Sequence, residues 1–270
     1  MRPTPRPVSR RSFLDAAARL LGAAAAADAA TACALPAAEG AGKGAADGRL
    51  RARPGGARAG SVSPGRTSLD LGPGREALLH VPRGYRDDAP APFAVVLHGA
   101  SGTAQGMLGR FEALADELGI VLLSPKSRDY TWDVIRGGYG ADVELVDDAL
   151  ARAFARCNVD PARVSVAGFS DGASYALSLG LANGDLFRRV VALSPGMVLG
   201  RLRTGKPSVF VTHGVHDTIL PIDVTSRRIV SMLRGAGYDV DYREFDGPHA
   251  VPPPVARLAA ERMAGAGAAR

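Results

Sequence analysis

Short, unbroken apolar runs recur from about residue 65 onward, among them Ala94-Val95-Val96-Leu97 and Ile120-Val121-Leu122-Leu123. A strand with one wet face alternates apolar and polar residues, so runs like these suit strands covered on both faces, as in parallel sheets. Strands are expected at 76–81, 93–97, 120–123, 163–167, 190–193, 208–212 and 240–244. Between them, helices are expected at 111–118, 142–155, 173–182, 223–234 and 255–263. In the second helix Val143, Val146, Ala149, Leu150 and Ala153 fall at three- and four-residue spacings, which leaves Asp142, Asp147 and Asp148 facing water. Alternation of the two kinds of element implies one α/β domain over 66–270, with a mostly parallel central sheet and helices on both faces.

Charge divides the chain differently. Residues 1–60 hold 10 of the 33 Lys and Arg but only 4 of the 27 Asp and Glu, leaving 23 of each sign in the remainder. The basic balance therefore belongs to the N-terminal part, and the neutral body gives no reason to expect a nucleic-acid partner. That N-terminal part reads Ser9-Arg10-Arg11-Ser12-Phe13-Leu14, then an alanine-dominated apolar run cleanest over 20–27, then small residues. A positive start, an apolar segment too short for an ordinary membrane anchor and a small-residue stretch are similar to a twin-arginine export signal, expected over 1–38. Cleavage after Ala32, Ala34 or Ala38 fits equally. Export to the periplasm or the medium is the expectation, with the twin-arginine machinery as a partner in transit. Cys33 follows Ala30-Thr31-Ala32, but the large aliphatic residue that lipoprotein processing uses three positions earlier is missing, so lipid anchoring there is the secondary reading.

Residues 39–65 are mostly Gly, Ala, Arg and Pro without apolar periodicity and are expected to be a flexible linker. Beyond Cys33 only Cys157 remains, so an exported domain cut past Cys33 has no internal disulfide and rests on its core. No stretch after the leader is long enough to span a membrane, and the domain is expected to be a monomer.

Gly168-Phe169-Ser170-Asp171-Gly172 lies between an expected strand and an expected helix. With 33 glycines and 16 serines, one such pattern arises by chance about a quarter of the time, so the bare motif is weak. Its setting adds weight, because a sharp strand-to-helix turn needs small residues on either side of a serine held with its oxygen exposed. Three further segments follow strands: His98-Gly99 upstream, then His213-Gly214-Val215-His216-Asp217 with Leu220-Pro221, then Asp246-Gly247-Pro248-His249. In this order the four segments, over about 75–263, resemble the α/β-hydrolases, more narrowly bacterial phospholipase/carboxylesterases and esterases related to polyhydroxybutyrate depolymerases.

The resemblance implies hydrolysis of a carboxylic ester through an acyl-enzyme, with a small-molecule or lipid-like ester as substrate. Serine is a poor nucleophile at its free pKa, so Ser170 needs a base, and His249 is the nominee. Asp217 would accept the other ring N–H and fix the tautomer, giving the order Ser, Asp, His of this hydrolase class. The backbone N–H groups of Asp171 and Ala100 would face the developing oxyanion, with the Asp171 carboxylate turned away to cap or bind a loop. His98 is expected to brace backbone and His80 to be structural. His213, His216 and Asp217 lie close together, but no second cluster completes a metal site. Trp132, Met197 and Leu220 are candidate walls of a substrate pocket; for each, ordinary packing is the competing reading. No phosphate-binding or dinucleotide motif appears, so no cofactor is expected. A polyester depolymerase or a serine peptidase of the same fold, and a non-catalytic binding protein on such a scaffold, are the alternatives.

Overall fold

The structure is a computed structural model that describes residues 43–55 and 62–265. The leader with its Arg10-Arg11 pair and Cys33, and residues 56–61 of the expected linker, lie outside the described residues.

Eight strands form one sheet: β1 (Gly65–Ser68), β2 (Ala77–Val81), β3 (Ala91–Leu97), β4 (Val121–Pro125), β5 (Val159–Phe169), β6 (Arg189–Leu193), β7 (Ser208–Gly214) and β8 (Val240–Phe245), in the order β1-β2-β4-β3-β5-β6-β7-β8. Pairing is antiparallel for β1–β2 and β2–β4 and parallel from β4 through β8. The helices are α1 (Lys43–Ala46), α2 (Ala104–Leu118), α3 (Ala141–Arg156), α4 (Asp171–Ala182), α5 (Ser226–Gly235) and α6 (Pro253–Ala264).

The unbroken apolar runs have their explanation in two cores. Along β3, Phe93, Val95 and Leu97 belong to the core shared with α3, α4 and α5 on one face, while Ala94 and Val96 belong to the core shared with α2 and α6 on the other. Both sets are withdrawn from water, so neither face of the strand tolerates a polar residue. Cys157 is buried too, and burial pushes its thiol up to about 12, which leaves it an inert packing residue.

Three expectations need correction. The helix α2 begins at Ala104 rather than residue 111, because the Thr103 hydroxyl caps it by accepting from the Gly106 N–H at 3.0 Å. Gly106 and Gly109 masked the two extra turns, since glycine weakens helix propensity. Asp142 and Asp147 of α3 do not face water: they are buried, and only Asp148 is exposed. Each buried carboxylate accepts backbone N–H groups of a neighbouring segment, Arg128 and Asp133 for Asp142, Arg51 and Ala52 for Asp147.

The third correction concerns residues 43–55, expected as linker but docked on the domain. Leu50 is buried, and its N–H donates to Asn183 Oδ1 at 2.9 Å while Asn183 Nδ2 donates to Gly48 O at 2.7 Å. Arg49 and Arg53 both reach Asp185, at 2.8 and 2.6 Å. Gly48, at φ 74°, gives its missing side chain's place to the Tyr139 ring. A composition of small residues and arginines conceals this, because the segment binds through backbone and guanidinium groups rather than an apolar stripe. Strand β1, with its polar sequence Gly-Arg-Thr-Ser, escaped for the same reason.

Candidate active site

All the singled-out loops leave the C-terminal ends of parallel strands, so the sheet itself gathers them on one edge. At the end of β5 the chain turns into α4 through Ser170, whose backbone sits at φ 58° and ψ −121°. The glycines on either side are spatially required. A Cβ on Gly168 would fall on the Gly172 carbonyl, and one on Gly172 would fall on the carbonyls of Leu97 and His98. The Ser170 N–H still donates to Leu193 O at 2.9 Å, so the turn is tied to β6.

The loops after β7 and β8 are joined along their backbones. Val215 N–H donates to Phe245 O at 2.9 Å and His216 N–H to Gly247 O at 3.0 Å. Gly214 permits this approach, since a Cβ there would meet the Gly247 and Pro248 carbonyls. This zip carries Asp217 to His249. The His249 Nδ1 lies 2.5 Å from Asp217 Oδ2, and its Nε2 lies 2.9 Å from Ser170 Oγ. Ser170, His249 and Asp217 therefore form one hydrogen-bonded line, although 79 and 32 residues separate its neighbours along the chain.

The Asp217 carboxylate is buried, and its other oxygen accepts from the Ile219 and Leu220 N–H groups, each at 2.8 Å. Burial alone would raise its pKa. The Leu220 N–H, the His249 ring and the Ile219 N–H outweigh that and hold it below the usual range, so the carboxylate stays ionised beside the imidazole. The Phe169 ring packs 4.7 Å from the His249 ring, and the Arg110 guanidinium lies over the Phe169 ring, 5.8 Å from its centre.

On the opposite side, the loop after β3 is braced by the loop that follows β4. Ser127 N–H donates to His98 Nε2 at 3.0 Å, which leaves the ring proton on Nδ1, donated to Gly99 O at 2.7 Å. Ser101 N–H donates to Tyr130 O at 2.6 Å, and Trp132 Nε1 donates to His98 O at 2.8 Å. Burial lowers the His98 pKa to about 4, so the ring is a neutral brace, as its sequence position suggested. Two carboxylates from α3 and the preceding turn organise the bracing loop: Asp133 Oδ2 accepts from Gly140 and Asp142 N–H, and Asp142 accepts from Arg128 and Asp133 N–H.

Asp171 is the first residue of α4, directly after Ser170, and Ala100 follows Gly99, whose backbone lies against Ser170: a Cβ on Gly99 would sit 3.2 Å from the Ser170 Cβ. The Asp171 carboxyl is drawn away by Thr131, whose hydroxyl donates to its Oδ2 at 2.6 Å, and burial raises its pKa. Trp132 is not a pocket wall. It is fully buried, stacked 4.8 Å from the Tyr175 ring at 11°, and its indole serves the His98 loop. Met197 and Leu220 are half-buried, and the Leu220 side chain closes on Gly196, next to Met197.

His216 turns outward to Asp246 at 2.9 Å. His213, by contrast, is buried against Asp217, its Nε2 3.0 Å from Oδ2, a partnership that sequence spacing alone did not assign. The signal was present in a histidine closing an apolar strand, where burial demands partners for both nitrogens.

No protein-family model matches the chain. It is 30% identical over 176 residues to "Putative esterase NocK" of Nocardia uniformis subsp. tsuyamanensis, an alignment covering 60% of this chain and 48% of that protein. The chain thus spans about half the length of that curated relative. Among solved structures it is similar to esterase PE8 (20% identity, 75% of this chain and 98% of that one, TM-score 0.56). It is likewise similar to a Bacillus cereus carboxylesterase (18%, 72% and 95%, TM-score 0.57). An S-formylglutathione hydrolase from Staphylococcus aureus aligns as well (13%, 74% and 97%, TM-score 0.58). Sheet order, the turn at Ser170 and these likenesses together establish that the chain has an α/β-hydrolase fold.

Proposed function

We propose that this chain is a serine hydrolase that cleaves carboxylic esters through an acyl-enzyme. The observation that carries the reading is the line from Ser170 Oγ through the His249 ring to Asp217, at 2.9 and 2.5 Å. Ser170 attacks the ester carbonyl while His249 Nε2 takes its proton, and the ionised Asp217 holds the ring in the tautomer that leaves Nε2 free to do so. The Asp171 and Ala100 N–H groups receive the oxyanion; bracing of the 98–101 loop by Ser127, Tyr130 and Trp132 supports a donor set in place before substrate arrives. His249 then returns its proton to the departing alcohol, and water repeats the sequence on the acyl-enzyme. Met197 and Leu220 flank the acyl or alcohol group. The names of the similar proteins, esterases and an S-formylglutathione hydrolase among them, agree with this class of reaction.

Hydrolysis of p-nitrophenyl esters tests the assignment. Ser170→Ala and His249→Ala should each lose about 10³-fold or more in kcat while circular dichroism shows the fold retained. A folded Ser170→Ala protein with wild-type turnover would refute it.

The Ser9-Arg10-Arg11-Ser12-Phe13-Leu14 segment supports export of the folded enzyme through the twin-arginine route. Replacing Arg10 and Arg11 by Lys should hold the protein inside the cell, as fractionation would report; unchanged export would rule that route out.

A further inference from the structure

Asp217 Oδ2 is approached by two imidazoles. His249 Nδ1 lies at 2.5 Å and His213 Nε2 at 3.0 Å. The second ring is fully buried at the end of β7, where its Nδ1 meets Ser226 Oγ at 2.6 Å and its Nε2 also meets Leu220 O at 2.9 Å. These contacts fix its protonation. Leu220 O and an ionised Asp217 can only accept, so Nε2 carries the proton; burial holds the ring neutral, so Nδ1 is bare and accepts from the Ser226 hydroxyl. The Asp217 carboxylate consequently receives two backbone N–H groups on Oδ1 and the His249 ring N–H on Oδ2, where the His213 Nε2–H, shared with Leu220 O, also comes within 3.0 Å.

On the reading of the site given above, we infer that His213 is a positioning residue: its Nε2–H fixes the plane of the Asp217 carboxylate and shares its charge, so that Oδ2 meets His249 Nδ1 in the orientation proton transfer requires. The backbone donors on Oδ1 alone leave the carboxylate free to pivot about that oxygen. A second donor on Oδ2, rooted in β7 and locked by Ser226 at the start of α5, removes that freedom. Other charged groups near the pair are few. Glu244 faces His213 but has both oxygens engaged by Arg227, at 2.8 and 2.7 Å, and Asp171 faces His249 from the start of α4.

Two substitutions separate the ring's contacts. In His213→Gln the amide N–H sits at the ε position and can still reach Asp217; in His213→Asn the amide stays near Ser226 and cannot. The glutamine variant should keep kcat within about threefold of wild type. The asparagine variant should lose about ten- to a hundredfold in kcat with KM unchanged, the size expected for removing a hydrogen bond to a charged group. Its acid limb of kcat/KM should also move to higher pH, because an Asp217 with one fewer donor holds the His249 proton more tightly. A merely structural role would lower activity equally at every pH. A folded His213→Asn enzyme with wild-type kcat and pH profile overturns the inference, as does a folded His213→Gln enzyme that falls as far as the asparagine variant. Should His213→Asn fail to fold, nitrogen chemical shifts of the wild-type ring decide, since a proton on Nδ1 contradicts the assignment and a proton on Nε2 upholds it. Failure of the esterase reading would look different: the wild-type enzyme itself would show no Ser170-dependent turnover.

Discussion

At Ser170 a residue with a Cβ occupies backbone space that ordinarily favours glycine, as do Ser101 at φ 57° and Ser194 at φ 50°. All three sit in loops that leave the C-terminal ends of parallel strands, and strain of this kind, on the order of 1–3 kcal/mol per residue, persists where surrounding structure over-determines it. Gly168 and Gly172 are what make the Ser170 turn possible. Gly168→Ala should therefore destabilise the protein by at least about 3 kcal/mol in urea denaturation, because the added methyl meets backbone and not a movable side chain. At the same scale Asp217→Asn should retain more activity than Ser170→Ala, since the ring can still reach the hydroxyl part of the time. Steady-state kinetics on one ester would check the ranking. The line Ser170, His249, Asp217 was legible in the sequence because each residue follows a strand in a fixed order. Trp132 was legible only as an aromatic near the site: whether it lines a pocket or plugs the core depends on its stacking with Tyr175, which no local pattern records.

Elements explain what the residues alone do not. Strands β2 through β7 carry the apolar runs because their faces are covered, whereas the half-exposed β8 is mostly polar, and β1 and residues 43–55 attach through backbone and charge and carry no such mark. The partners of residues 43–55 are Asp147 on α3 and Asn183 and Asp185 just past the end of α4. Asp142 and Asp147 were expected in water from their helical spacing, and the N–H groups they accept from are contributed by other segments, the loop before α3 for Asp142 and residues 51–52 for Asp147. The docked segment is predicted to contribute to global stability. Leu50→Ala should cost about 2–5 kcal/mol, measurable as a lower urea midpoint with an unchanged slope. A midpoint equal to wild type would show that the segment adds nothing to the fold.

For the whole molecule, a neutral body and a buried core leave acid stability to individual buried groups, and His98 is prominent among them. Its native pKa of about 4 lies below the value of about 6.5 for an unfolded chain, so between those values the unfolded chain binds a proton that the native one refuses. The contribution is complete above pH 6.5 and is lost as pH falls toward 4, amounting to about 3 kcal/mol. Unfolding of wild type and His98→Gln at pH 7 and pH 4.5 should show a smaller acid loss in the variant. Equal losses would mean that the ring is not held neutral by the fold.

The proposed catalysis rests on the activation of one hydroxyl by a histidine and an aspartate that the sheet brings together. Reaction with a fluorophosphonate, followed by intact mass and peptide mapping, tests that most directly. One phosphonyl group per chain on the peptide that contains Ser170, absent from both Ser170→Ala and His249→Ala, is the predicted result. Labelling that survives in Ser170→Ala, or a native protein that takes no label, would contradict it.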